Sequence, residues 1–495
     1  MQWGDAEIRV AEDGTSIRLI RGNDLVVELS WVGAAGAPAE LAVADEVEHS
    51  MVTASGLVMQ RQAVNGGWRN RWVLTAEPGR TLPVTDLLRV RPGSEYALWS
   101  WGSGVTALLA LAPAHSAGPV LGLRLEQGYL EELEDPGASS ACVDYQVAPA
   151  GTGLDAGHRL VTAIGADWYP GIEDLTRRLP PWLNDTQLDA DEPWWSELAD
   201  FGLSGPPGVQ MEYSDGIVGV TGPVGRRILD VQTPRGLSRV PLEWVPGAES
   251  VLHTVASEAV KRGIGLSIAE AVCVQQAADR HALWLDPAAD ELLDRVDWTT
   301  ADSVLGATFG LSRGRSLGEG ALVSDALRLL AGLPVGIGYG RVVMAAWLAS
   351  ISLGMDIQSR CHDLLGRPAV GRTASLESSL LHYRSVEVGA AELAGVANRL
   401  GGSLPGEAPL LTWTEQAQLV GLLELCPPEW DKAGHYAQVA EKARGQVLCA
   451  YADGRIADAE PLAWLLLSPE LNPGLCVWPG RCLTRRVAPV DRGVA

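Results

Sequence analysis

The chain has 495 residues, 47% hydrophobic and 20% charged, with 61 acidic against 38 basic side chains and a formal net charge of -23. Such a composition is that of a globular protein, and the length exceeds what one hydrophobic core organises, so at least two domains are expected. The negative field repels phosphate backbones and anionic lipid surfaces, and no stretch approaches the ~20 apolar residues of a membrane-spanning helix, so neither nucleic acid nor membrane is an expected partner.

The start, Met1–Glu7, lacks a basic segment followed by an apolar run, so export is not expected. Seven scattered cysteines, an odd number, fit reduced thiols and a cytoplasmic location better than a disulfide framework. The eight histidines stand singly, and Cys476 and Cys482 have no His or Cys cluster beside them, so no metal site is expected.

Residues 1–183 read as short strands separated by turn residues, the pattern of an antiparallel β-sandwich. Ile17–Ile20 and Leu25–Trp31 flank Gly22-Asn23-Asp24 as a hairpin. In Trp68-Arg69-Asn70-Arg71-Trp72, strand alternation aims Trp68, Asn70 and Trp72 one way and both arginines the other, a face that either stacks on sugar or packs in the sandwich. The run Glu131-Glu132-Leu133-Glu134-Asp135 reads as solvated charge. A Pro-rich connector and a small β segment follow over 184–247, with Asp215-Gly216 as a hairpin turn.

Over 248–495 the period turns helical, giving about a dozen helices between Gly and Pro breaks. Ser267–Glu270, Ser316–Glu319 and Thr412–Glu415 fit the capping box. The segment Arg341–Gly354 is apolar nearly all round and belongs inside other helices. The fold class is therefore multidomain, β then α: an antiparallel β-sandwich followed by an α/α helical barrel.

Gly310-Leu311-Ser312-Arg313-Gly314 has the letters of a nucleophile elbow, but a helix precedes it where that motif needs a strand. Gly336-Ile337-Gly338-Tyr339-Gly340 reads as a tight interhelical loop, and Cys361-His362-Asp363 as a chance cluster on a helix.

Hydrolysing a glycosidic bond requires two carboxyl groups flanking it. Glu415 beside Trp413 at a helix start, and Asp453 and Asp458 in the polar stretch Tyr451–Glu460, are the candidate catalytic groups. A capping box competes for Glu415 and an Asp-Gly turn for Asp453. Trp413, Tyr339, His382 and Arg384 are the candidate substrate-binding residues. Convergence of carboxylates among Asp325, Asp356, Glu377, Glu415, Asp453 and Asp458 in a Trp-lined cleft is what this chemistry predicts.

The order of parts resembles bacterial glycoside hydrolases that place a β-supersandwich before an α/α six-hairpin barrel. The likeness runs through Trp68–Trp72, Gly122–Gly128 and Leu179–Leu183. It implies a small-molecule or oligosaccharide substrate held at the mouth of the helical barrel, acid/base carboxylates on loops there, and no obligatory cofactor. Two other readings remain beside hydrolysis. One is a non-catalytic carbohydrate-binding or scaffold protein, with an apolar helical interior and outward-pointing acids. The other is a sugar lyase or isomerase that would use Tyr339, His382 or Arg384. Oligomeric state stays open.

Overall fold

The computed structural model describes residues 2–3, 5–10, 16–32, 41–44, 48–52, 57–64, 67–76, 79, 81–133, 142–183, 186–198, 200–280, 287–381, 386–401, 411–427, 429–431 and 434–468. The chain divides into two compact units, residues 1–244 with 398–411, and residues 245–397 with 412–495. The β-then-α order expected from the sequence is the observed one.

In the first unit a 7-stranded and an 8-stranded sheet, both antiparallel, enclose one apolar core. The predicted hairpin pairs Ser16–Arg21 with Asp24–Val32, and Gly22 takes the left-handed turn conformation at φ 62°. Trp68, Asn70 and Trp72 are buried, so the packing alternative holds for that face. Trp31 of one sheet meets Trp72 of the other with ring centroids 5.8 Å apart, and the Trp31 indole N–H donates to the buried Asp86 carboxylate at 2.9 Å. Of the outward-facing arginines, Arg69 pairs with Glu126.

The sequence expectation for Glu131 and Glu132 needs correction. They form a short strand against Tyr145 and Gln146, and Glu131 is held by Arg239 and the Tyr129 hydroxyl. A charge run is not a solvated face when an arginine from another sheet meets it. The 184–247 stretch contains strands of its own. Its strands Gln187–Asp189, Gly202–Ser204, Gly225–Thr233 and Gly236–Val245 build a further sheet within the first unit. The Asp215-Gly216 turn is as predicted: both residues have positive φ, 48° and 83°, as a tight hairpin turn requires. A single-turn helix, α1 (Ile172–Thr176), follows the longest strand of the 8-stranded sheet.

The second unit contains α2 (Ala248–Arg262), α3 (Ile268–Asp279), α4 (Pro287–Asp294), α5 (Val304–Leu317), α6 (Gly320–Gly332) and α7 (Tyr339–Ser352). These are followed by α8 (Gln358–Leu365), α9 (Arg372–Leu381), α10 (Val386–Gly401, of which 398–401 belong to the first unit), α11 (Trp413–Leu423), α12 (His435–Ala452) and α13 (Glu460–Leu465). Alternate helices α11, α13, α3, α5, α7 and α9 pack side by side in that order; α12 packs against both α11 and α13, α6 against both α5 and α7, α2 against α3, and α8 against α7. Capping boxes start α3 at Ser267 and α11 at Thr412, as the sequence indicates. The third expected box is absent: α5 continues to Leu317 and ends at Gly318 (φ 71°), so Ser316 lies in its last turn and cannot cap α6. The glycine at a left-handed helix end is the stronger signal.

Gly306, Gly310 and Gly314 lie on one side of α5. A Cβ at Gly310 would come within 2.4 Å of the Trp298 ring, and one at Gly314 within 3.0 Å of Leu322 on α6, so hydrogen side chains let both neighbours close in. Arg313, also from the elbow-like stretch, donates to Asp290 and Asp294 of α4 at 3.0 and 2.6 Å and so secures that helix.

One buried ion pair joins four pieces of this unit. The Glu377 carboxylate of α9 accepts from the Gly338 N–H at 2.7 Å and the Arg341 N–H at 3.3 Å, capping α7, and lies 3.4 Å from the Arg341 guanidinium. The same guanidinium donates to the Leu467 carbonyl at 3.5 Å and lies where a Cβ at Gly421 of α11 would stand, 2.0 Å from it. Removing one partner of a buried pair leaves an uncompensated charge. Glu377→Ala should therefore cost about 3–5 kcal/mol in chemical denaturation. Asp325→Ala, which removes a surface partner of Arg328 (2.6 Å), should cost no more than about 1 kcal/mol. Gly310→Leu should cost about 1–3 kcal/mol by overpacking against Trp298, with a change in tryptophan emission.

Candidate functional site

The polar stretch between α12 and α13 is a built turn. Asp453 ends α12, Gly454 takes φ 71°, and the Arg455 N–H returns to the Ala450 carbonyl at 2.9 Å. The Tyr451 hydroxyl donates to the Asp458 carbonyl at 2.8 Å and accepts from the Leu462 N–H at 3.1 Å. Burial pushes that hydroxyl well above its ordinary pKa, so it stays a neutral donor. The Asp458 carboxylate accepts from the Glu460 N–H at 2.9 Å and so supports the start of α13.

Arg455 links two of the sequence-derived candidates. Its guanidinium lies 5.6 Å from the centroid of the half-buried Trp413 ring and 3.3 Å from Asp453. An indole, a cation and a carboxylate therefore meet where the turn approaches the start of α11. Arg455 and Tyr451 were not singled out from sequence, although both lie in the polar run that contains Asp453 and Asp458. Which residues of such a run meet the start of α11 is decided by the turn, and the left-handed Gly454 was its one sequence signal.

Glu415 sits two residues after Trp413, but its carboxylate is occupied. It accepts from the Thr412 N–H at 2.9 Å and from the Thr412 hydroxyl at 2.8 Å, completing the capping box. Tyr339 is fully buried in the first turn of α7, accepts from Arg367 at 3.0 Å, and has its pKa raised by burial. Asp325 pairs with Arg328, Glu377 with Arg341, and Asp356 lies exposed after α7. These acids thus serve separate places: a surface pair, a buried pair, a helix cap and a turn. His382 and Arg384 lie outside the described residues.

A cavity of about 380 Å³ lies between α3, α5, α7 and the residues that follow α13. Its walls are mainly aliphatic, with Val272, Leu311, Val342, Leu466 and Leu467 among them, and no lining residue is a carboxylate. The polar groups on the wall have partners within the protein. Gln276 donates to Ser312 at 3.2 Å, Thr308 to the Val304 carbonyl at 2.9 Å, and Ser352 to the Ala349 carbonyl at 2.7 Å. Arg315 stands at the wall 3.8 Å from Asp279.

The opening corrects one expectation for α7. The helix is buried along its first turns, but Leu348 and Ile351 are 45% and 68% exposed. Other helices therefore do not enclose it over the second half, where Leu348 lines the cavity and Ile351 does not. Among the described residues, no group of three or more His, Cys, Asp or Glu side chains could hold a metal ion. Burial raises the pKa of the Cys273 thiol, which keeps it protonated. No described helix is long and apolar enough to cross a membrane.

No protein-family model matches the chain, and no curated protein matches it. Among solved structures, a polysaccharide lyase superposes with a TM-score of 0.54 at 11% identity, covering 90% of this chain and 82% of that one. A TPR-domain protein from Parabacteroides distasonis aligns at 10% identity over 89% of this chain and 85% of its own, with a TM-score of 0.23. An inverting mannosidase from Bacteroides thetaiotaomicron aligns at 10% identity over 90% and 60%, with a TM-score of 0.22. Scores this low add no weight from the last two. In fold, then, the chain is similar to a polysaccharide lyase over most of its length.

Proposed function

We propose that the protein is a carbohydrate-active protein that recognises an oligosaccharide at Trp413, Arg455 and Asp453, by binding and not by hydrolysis through a carboxylate pair. The observation that carries this reading is the meeting of indole, guanidinium and carboxylate at the start of α11. An indole offers an apolar face to the C–H side of a sugar ring, while Arg and Asp offer donors and acceptors for its hydroxyls. The likeness in fold to a polysaccharide lyase supports the choice of ligand class.

Hydrolysis through Glu415, Asp453 and Asp458 would require one carboxyl group as acid and another as base or nucleophile across the bond. Glu415 would have to release Thr412 to take part, and Asp458 would have to release the start of α13. Losing an N-cap contact costs about 1 kcal/mol, which sets these groups against a catalytic part. A lyase reading draws on the same structural likeness and would place Arg455 against a sugar carboxylate, since a guanidinium binds carboxylates strongly.

A ligand that binds only the folded state raises the melting temperature. A thermal-shift screen against neutral and uronate-containing oligosaccharides should show a shift that Trp413→Ala and Asp453→Asn abolish. A panel without any shift, or one whose shift survives Trp413→Ala, rules the site out. Thr412→Ala should lower stability by about 1 kcal/mol while leaving the saccharide shift in place. Glu415→Gln, which keeps a capping acceptor, should leave binding unchanged. Any turnover of a bound sugar that this substitution removes would restore the hydrolytic reading.

A further inference from the structure

We propose that the cavity of the helical unit holds the aliphatic tail of an amphipathic carboxylate, with its head group at Arg315. Four observations converge on this ligand. The cavity, about 380 Å³, has the size of a small-molecule pocket and mainly aliphatic walls. Its hydroxyls and amide are turned to partners within the protein: Thr308 and Ser352 donate to carbonyls of their own helices, and Gln276 donates to Ser312. A wall whose polar groups are already satisfied has little to offer sugar hydroxyls or ordered water, and it favours a guest that asks for no hydrogen bonds.

The mouth supplies the other two observations. Leu348, a lining residue, is 45% exposed, and Ile351, one turn further along α7, is 68% exposed. An exposed leucine on the cavity wall leaves an apolar route by which an apolar group can enter. Arg315 lies on the same wall with its side chain 47% exposed and Asp279 at 3.8 Å. A guanidinium has five N–H donors, so this long contact leaves capacity for a second carboxylate. The cavity lies apart from Trp413, Arg455 and Asp453, none of which lines it.

The test is titration of the intact protein with sodium dodecanoate, below its micelle concentration, by calorimetry. Saturable binding of one dodecanoate per chain is expected. Decanoate, two methylenes shorter, should bind on the order of tenfold more weakly, because each buried methylene contributes about 0.8 kcal/mol. Ala345→Phe and Ala349→Leu, two independent ways of filling the space, should each abolish binding in protein that retains the wild-type circular dichroism. Arg315→Gln should weaken dodecanoate severalfold and leave dodecanol unchanged. Absence of saturable binding, or equal binding by both cavity-filling variants, overturns the proposal. An unaltered dodecanoate affinity in Arg315→Gln overturns the assignment of the head group. Concentration-dependent dimerisation that is lost in Ile351→Lys, with no dodecanoate binding, would assign the apolar mouth to a second copy of the chain instead.

Discussion

The helical unit depends on a charge pair that has no access to water. Taking Arg341 and Glu377 out of solvent is costly, and the arrangement persists because two N–H groups at the start of α7 and the Leu467 carbonyl complete the set of partners. The pair also fixes what surrounds it. Position 421 on α11 must be glycine-sized, since a Cβ would stand 2.0 Å from the guanidinium. Position 338 must be small as well, because a Cβ there would lie 2.4 Å from the Trp464 ring. One electrostatic contact therefore sets the approach of α7, α9, α11 and the end of α13.

This contact separates the two sites. On α7 every cavity-lining residue, from Val342 to Ser352, comes after Arg341. On α11 Trp413 opens the helix, about two turns before Gly421. The Trp413 cluster therefore gathers where the turn after α12 meets the start of α11, whereas the cavity lies along the inner turns of α3, α5 and α7. Polar groups collect at helix ends because the unpaired N–H and C=O groups there need partners, while the cavity is bounded by the apolar sides of helix interiors.

Much of the architecture was legible because it follows from local rules. Asp215-Gly216 turned a hairpin, the Thr412 and Ser267 boxes opened helices, and alternation put Trp68 and Trp72 in the sandwich. The site was legible only in part. Trp413 and Asp453 could be named as residue types that suit sugar chemistry, yet Arg455, which joins them, depends on the fold of a turn. Glu377 was noticed as an acid, but its partner lies 36 residues away on another helix, which no spacing rule reveals. The misread cap at Ser316 and the misread charges at Glu131 have one cause. A local pattern was overruled by a neighbour, Gly318 in the first case and Arg239 in the second.

The glycines of α5 have an effect beyond close packing. Gly306, Gly310 and Gly314 occupy one side of the helix, and Thr308, Leu311, Ser312 and Arg315 occupy the opposite side, at the cavity. With Trp298 lodged in the glycine furrow, the cylinder is keyed like a shaft in its slot. Sliding the sequence by one position would turn the helix about 100° and present a different set of side chains to the hollow. The bare side of α5 thereby selects the chemistry shown on its far side, although not one of those three residues lines the cavity.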